Sequence, residues 1–338
     1  MSSNKDSSTV SPGQERIHRE LFSSIVGLVA GCAYGVFARF VFKAGSVSDY
    51  FLVMSIAFIF LVPAVLGILT VYFAEKNQKR RWYYWIFVPW VPCIILMLGA
   101  FLTGWEGSIC ILMALPIFLL MSSLGGLITG LIMKDEDSSL SIYSVVILGI
   151  LPFAFALVEG RFPTPDSFRL VETQMVVNAS PDTVWQNIER VREIKPAEQK
   201  FSAFHLMGFP RPVEATLSNE GIGGVRHATF EGGVLFVETI EKWEPQRELS
   251  FSIKADTKSI PPTTLDEHVT IGGAYFDMLE GDYRIEPLNE HQVILHLSSK
   301  HRLSTRFNFY AGLWTDFIMR DIQKNILGII KNRCEAVK

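Results

Sequence analysis

The sequence is short of cysteine, of net charge and of every common catalytic signature. Its four cysteines are Cys32, Cys93 and Cys110, all inside apolar runs, and Cys334 near the C-terminus. No two of them share the polar half, so no disulfide framework is expected there, and no CxxC spacing points to zinc. The formal net charge is only −3. That argues against nucleic acid as a partner, which normally needs a basic face. There is no G-x-S-x-G elbow, no H-E-x-x-H helix and no Gly-rich phosphate loop. "GIGG" at Gly221–Gly224 reads as a turn before a strand. No catalytic residue, metal ligand or cofactor is assigned.

What is present is a strong division of character. Ten Lys+Arg and ten Asp+Glu lie between the first residue and Gly160; twenty-one and twenty-four follow. The first part is dominated by five long apolar runs: Leu21–Phe42, Tyr50–Ala74, Trp82–Leu102, Ser108–Met133 and Ser141–Val158. A helix needs ~20 apolar residues to cross the hydrocarbon core of a bilayer. Each run is therefore a candidate span, the fifth being the shortest. Only Arg39 is charged within them, close enough to an end to snorkel to the interface. No buried acid, lysine or histidine of the kind a pump uses is expected in any run. "LVAGC" at Leu28–Cys32 has the look of a lipoprotein cleavage box, but the apolar run continues to Phe42, so an uncleaved span is expected.

Lysine and arginine cluster before the first run (Lys5, Arg16, Arg19), between the second and third (Lys76, Lys79, Arg80, Arg81) and between the fourth and fifth (Lys134). The positive-inside bias predicts a cytoplasmic N-terminus. Five crossings then put the polar half outside, in the periplasm of a Gram-negative cell. Small residues recur every fourth position at Gly27, Gly31 and Gly35, and at Ser122, Gly126 and Gly130. Such stripes let helices approach closely; packing within the chain is the simpler use, and a homo-oligomeric seam through Gly27/Gly31/Gly35 is the other.

The expected layout is a polar tail over residues 1–20, a transmembrane domain over 21–158, a stiff linker over 159–167 ("EGRFPTPDS") and a second domain over 168–335. That second domain opens with "VVNASPDTVWQNI", Val176–Ile188. Val171, Thr173, Met175 and Val177 alternate as in a half-buried strand. Ser180 offers an N-cap oxygen, Pro181 suits the first helical position and Asp182 adds charge to the first turn. Residues 195–224 look irregular. Strand patterns follow in "GVRHATFEG", "VLFVETIEKW", "RELSFSIKA", "DEHVTIGGAYFDMLEGDYRIEPL" and "QVILHLSSKHRL". Residues 305–335 close the chain as a helix whose apolar stripe is interrupted by Asp321. The fold class is a multi-span helical membrane domain followed by an α+β domain, one curved antiparallel sheet wrapped on a long C-terminal helix.

Taken together, "VVNASPDTVWQNI" and the hairpin pattern of Trp243, Pro245, Leu249 and Phe251 resemble the START/polyketide-cyclase-like helix-grip superfamily, over about half of the chain. The resemblance implies a cavity between sheet and C-terminal helix that takes lipids, sterols, polyketides or other apolar molecules. It supplies no catalytic residue. Candidate ligand-contacting residues are His227, mid-strand beside Arg226; Tyr275, Asp277 and Tyr283 in "YFDMLEGDYR"; and Phe309 and Trp314 in the aromatic run opening the last helix. The expected function is a membrane-anchored binder or carrier of a hydrophobic small molecule, with membrane lipids as neighbours. The alternatives are a cyclase- or dehydratase-type enzyme using His227 with Asp277 or Tyr275, and a membrane sensing protein.

Overall fold

The computed structural model describes residues 12–43, 52–79, 81–134, 140–199, 202, 205, 208–256 and 270–336. The first eleven residues, the start of the second apolar run and the opening of the run 266–288 lie outside them. The chain divides into two compact units. One holds Met1–Leu102 and Ala114–Pro163; the other holds Thr103–Met113 and Thr164–Lys338.

The first unit is helical. Helix α1 is Pro12–Lys43. Helix α2 starts as a π-helical turn at Ala57–Leu61 and continues regularly through Val62–Tyr72. A short turn α3 (Lys76–Lys79) leads to α4 (Trp82–Phe87) and α5 (Trp90–Leu102). These last two form one apolar rod bent at Pro89, which cannot donate a backbone N–H. Then come α6 (Ser108–Ile132) and α7 (Ile142–Glu159). Among the described residues, four helices are long and apolar enough to cross a bilayer: Gly13–Phe42, Trp82–Leu102, Ser108–Ile132 and Ile142–Glu159. The fifth run, expected to be the weak one, reaches that length because Ser141 starts it with a cap, its hydroxyl accepting the Ser144 N–H at 3.2 Å. The second run supplies the short helix.

Side-chain contacts fix the direction of these helices. At one end, Gln78 Nε2 donates to the Glu20 carbonyl (3.1 Å) and to Ser24 Oγ (3.0 Å), and Ser24 Oγ also meets Tyr84 Oη at 3.1 Å. At the other, the Phe42 ring lies 5.2 Å from Phe58 and 5.8 Å from Phe153. There too the carboxylate of Glu159 accepts the N–H groups of Ile56 (2.8 Å) and Ala57 (3.0 Å). Thus α2 returns to the end where α1 began, and α7 finishes at the end where α1 finished.

Two expectations change here. Arg39 does not reach out of the bundle; it is buried. An acid is buried as well: Glu159, one residue beyond the expected end of the fifth run, caps the start of α2, where free N–H donors and the helix dipole favour a carboxylate. The small-residue stripes are used inside the chain. A Cβ on Gly27 would sit 2.6 Å from the Thr70 carbonyl oxygen, and one on Gly35 would sit 2.2 Å from Leu96 Cδ1. Gly126 and Gly130 make the same room for Trp85.

Among its described residues, the second unit has seven antiparallel strands: β1 (Ser167–Val177), β2 (Pro212–Leu217), β3 (Val225–Phe230), β4 (Leu235–Glu244), β5 (Glu248–Asp256), β6 (Phe276–Asn289) and β7 (Gln292–Leu303). The curved sheet has the order β1-β7-β6-β5-β4-β3-β2. Strand β2 lies in the stretch expected to be irregular, where its prolines and charges hid a short edge strand next to β3. Between β1 and β2, helix α8 (Pro181–Glu189) starts as the sequence signals, with Ser180 Oγ accepting the Thr183 N–H at 3.2 Å. Val184, Trp185 and Ile188 bury its apolar face, and Trp185 meets Trp243 edge-on at 5.0 Å.

The last helix, α9 (Asn308–Ala336), lies on the inner face of the sheet. Leu327 and Ile330 join a core with Leu249, Phe251, Leu295 and Leu297. A polar seam ties the same helix to the β1–β7 edge. Gln323 Nε2 donates to the Val171 carbonyl (2.9 Å) and to Ser299 Oγ (3.0 Å), while Thr173 Oγ1 donates to Gln323 Oε1 (2.8 Å). Arg169 grips Asp316 with two hydrogen bonds of 2.9 and 2.6 Å, in space that a side chain on Gly312 would fill.

Candidate ligand-binding interior

The inner wall of the sheet follows from strand alternation. On β3 the residues turned inward are Arg226 and Ala228; on β4 they include Glu238 and Ile240; on β5, Leu249 and Phe251; on β6, Met278 and Tyr283. Nearly all of this wall is apolar. The exception is an ion pair between Arg226 and Glu238, which face each other across the β3–β4 ladder. The two residues are only 3% and 5% exposed.

Their surroundings are specific. The Arg226 guanidinium carbon lies 5.5 Å from the centroid of the Phe251 ring, a cation–π arrangement. The Tyr283 ring, on β6, lies 6.2 Å from that of Phe251. Burial drives the Tyr283 phenol up to about 12, so it stays protonated. Burial also pushes the Glu238 carboxyl up, opposed by the charge of Arg226 and the hydrogen bond to it. The pair as a whole is neutral, and among the described residues Arg226 Nε has no hydrogen-bond partner. A buried donor left unmade costs ~1–3 kcal/mol. Arg226 Nε is thus a buried donor without a partner on the inner wall beside Phe251.

The sequence-based candidates separate cleanly against this wall. Tyr283 lies in it. His227 does not: alternation turns its neighbour Arg226 inward and leaves His227 on the opposite face, paired across the ladders with Thr216 and Val237. Asp277 also takes the opposite face, between the inward Phe276 and Met278, opposite Arg302. Tyr275 precedes β6, and its carbonyl accepts the Ser304 N–H at 2.8 Å. The acid–base reading built on His227 with Asp277 or Tyr275 loses its geometry. Phe309 is 70% exposed, and Trp314 is half-buried. Arg226 and Glu238 were not singled out from sequence, although each is a charge at the apolar parity of its strand.

Three further polar contacts lie along α9. His301 is fully buried, with Nε2 at 3.1 Å from Thr315 Oγ1, and burial holds it at about 4, hence neutral. Asp321, the break in the apolar stripe, accepts a 2.5 Å hydrogen bond from Ser202. One turn on, Asn325 Nδ2 donates to His205 Nε2 at 3.0 Å. These bonds fasten the α8–β2 connection to α9.

The convex face carries one titration of consequence. Asp282 is pushed up to about 6, first by burial and then by Glu248, and its Oδ2 has no partner among the described residues. Its folded value lies above the ordinary 3.8. The native state therefore disfavours the ionised form, and the stability this contributes is present below the ordinary value and lost as pH rises through the folded one. Asp282→Asn is expected to raise the melting temperature of the full-length protein near pH 7, with the gain vanishing near pH 3.5. An equal gain at both pH values would contradict this assignment.

No family model and no curated protein sequence matches the chain. Among solved structures, the chain is similar to norcoclaurine synthase from Thalictrum flavum (13% identity, 51% of this chain and 90% of that one, TM-score 0.32). It is similar too to a START superfamily protein from Mycobacterium smegmatis (12%, 50% and 99%, 0.33) and to the Zhui aromatase/cyclase from Streptomyces sp. R1128 (14%, 51% and 97%, 0.32). Likenesses this distant concern the fold alone. By its own strand order and its long C-terminal helix, the second half of the chain has the helix-grip architecture that its sequence resembles.

Proposed function

We propose that this protein is a membrane-anchored binding protein whose helix-grip domain holds a hydrophobic small molecule, a lipid or lipid-like compound, against the inner wall of its sheet. The observation that carries the reading is the buried Arg226–Glu238 pair with its unspent Nε donor, set among Phe251, Ile240 and Tyr283. Ligand sites of this kind combine an apolar wall with a few fixed polar groups. A neutral pair with one free N–H suits a mostly apolar molecule bearing a single acceptor oxygen. The long apolar helices of the first unit support anchoring. Extraction of the purified full-length protein, followed by mass spectrometry, should return an apolar compound in near-stoichiometric amount. A profile identical to that of an unrelated membrane protein in the same detergent would remove the reading.

We place the N-terminus in the cytoplasm and the helix-grip domain on the far side. The Lys/Arg bias supports the first half of this, and the alternating helix directions support the second, since α1 and α7 finish at the same end. Protease added to intact spheroplasts should cleave the helix-grip domain; full protection would overturn the placement.

A further inference from the structure

The inner wall holds a second buried polar atom without a partner. His301, on β7, is fully buried, and among the described residues its Nδ1 has no hydrogen-bond partner. Its other nitrogen is engaged. Nε2 lies 3.1 Å from Thr315 Oγ1, and that hydroxyl donates to the Gly312 carbonyl at 3.2 Å. This network assigns the ring proton to Nε2, which donates to Thr315, and leaves Nδ1 as an acceptor. The ring is neutral, since burial holds it at about 4. The polar groups nearby are spent on one another: Arg169 is bonded to Asp316, and Ser299 to Gln323. A buried acceptor left unmade is costly, and native interiors rarely leave one without a reason.

Register puts this atom on one row of the sheet with the Arg226–Glu238 pair. Arg226 stands beside Glu238, and Glu238 beside Ile253 on β5. On β6, Met278 stands beside His301. Ile253 packs against the cluster that contains Met278, which joins the two halves of the row. The row therefore has a polar group at each end and apolar side chains between. It crosses four strand spacings of ~4.8 Å, or about 19 Å along the curved wall. Ile253, Phe276 and Ile322 pack around its middle and yet are only half-buried, so apolar surface stays open there. The two ends are chemically opposite. Arg226 Nε only donates, and the neutral His301 Nδ1 only accepts.

We propose that His301 is the second polar anchor of the ligand-binding interior, and that the ligand is an elongated apolar molecule with an acceptor oxygen at the Arg226 end and a hydroxyl at the His301 end. The inference rests on the function proposed above and adds the hydroxyl end to that ligand.

The test uses the full-length protein in detergent, with bound mass read by native mass spectrometry. The probes are the methyl esters of lauric, myristic and palmitic acid, each offered beside its ω-hydroxy counterpart. The parent is expected to hold the ω-hydroxy ester of at least one length about tenfold more tightly than the plain ester, a difference of ~1.4 kcal/mol. His301→Phe keeps a ring and removes the acceptor, so it should bring that ratio close to one. Should this variant not fold, His301→Leu repeats the measurement. Arg226→Met/Glu238→Leu should weaken both esters by a common factor and keep the ratio. Equal binding of the two esters by the parent at every length would overturn the inference and leave the hydrophobic-ligand reading standing. A preference that survives loss of the His301 ring nitrogen would do the same. A parent that binds neither ester would overturn it as well; the wider reading falls only when extraction of the same protein also returns no apolar compound.

Discussion

Glu238→Ala is expected to destabilise the helix-grip domain by ~3–5 kcal/mol, because it leaves the Arg226 guanidinium buried without its counter-charge. Arg226→Ala should act similarly by stranding a carboxylate. The double variant Arg226→Met/Glu238→Leu should behave differently. Replacing a buried pair by apolar residues of similar volume is often neutral or stabilising, so its melting temperature should return to that of the parent or exceed it. Loss of ligand from this well-folded variant would then separate binding from folding. Equal destabilisation of the single and double variants would show that the pair matters for packing rather than for its charge. Thermal unfolding of the full-length protein in one detergent measures all three.

This pair also marks where the sequence could and could not be read. The strand–helix junction at Ser180–Pro181 and the alternation along β5 and β7 carry their own signals, since cap chemistry and a period of two are local. The inward parity of β3 was harder. Arg226, Ala228 and Phe230 share one face, and so do Phe236, Glu238 and Ile240 on β4. A charge at an apolar parity on each of two neighbouring strands was the available clue. Reading it needs the register that pairs Arg226 with Glu238, and register depends on the whole sheet. His227 drew the eye because of its chemistry, but a one-residue step turns a side chain to the other face. Phe309 and Trp314, candidates for ligand contact by sequence, mislead for a related reason: an aromatic run on a helix has two faces, and only the packing of α9 tells which is covered. Strand β2, with two prolines just before and at its start, gave almost no periodic signal.

Gly67→Ala and Gly125→Ala are expected to disrupt the helical unit. A Cβ on Gly67 would lie 1.9 Å from the Ser122 carbonyl oxygen, and one on Gly125 would lie 1.9 Å from that of Ala64. The neighbour in both cases is backbone, which cannot rotate away, so α2 and α6 must move apart. Overpacking costs ~1–3 kcal/mol in ordinary cores, and this double backbone contact should reach or pass the upper end. Gly99→Ala is the control. It meets nothing within 4 Å, and alanine is better than glycine in a helix by ~1 kcal/mol. The same substitution should therefore raise the melting temperature at one position and lower it at the other two. A uniform gain at all three would contradict the α2–α6 contact. Small-residue stripes were visible in the sequence, but Gly67 was not among them, because a single glycine in an apolar run has no period.

Native mass spectrometry of the full-length protein, released from detergent micelles, tests the central claim most directly. The parent is expected to carry an additional apolar mass in the range of a lipid or a comparably sized small molecule, and Arg226→Met/Glu238→Leu, folded and equally abundant, is expected not to. A parent that shows only its own mass, and takes up no apolar compound when offered a lipid extract, would contradict it.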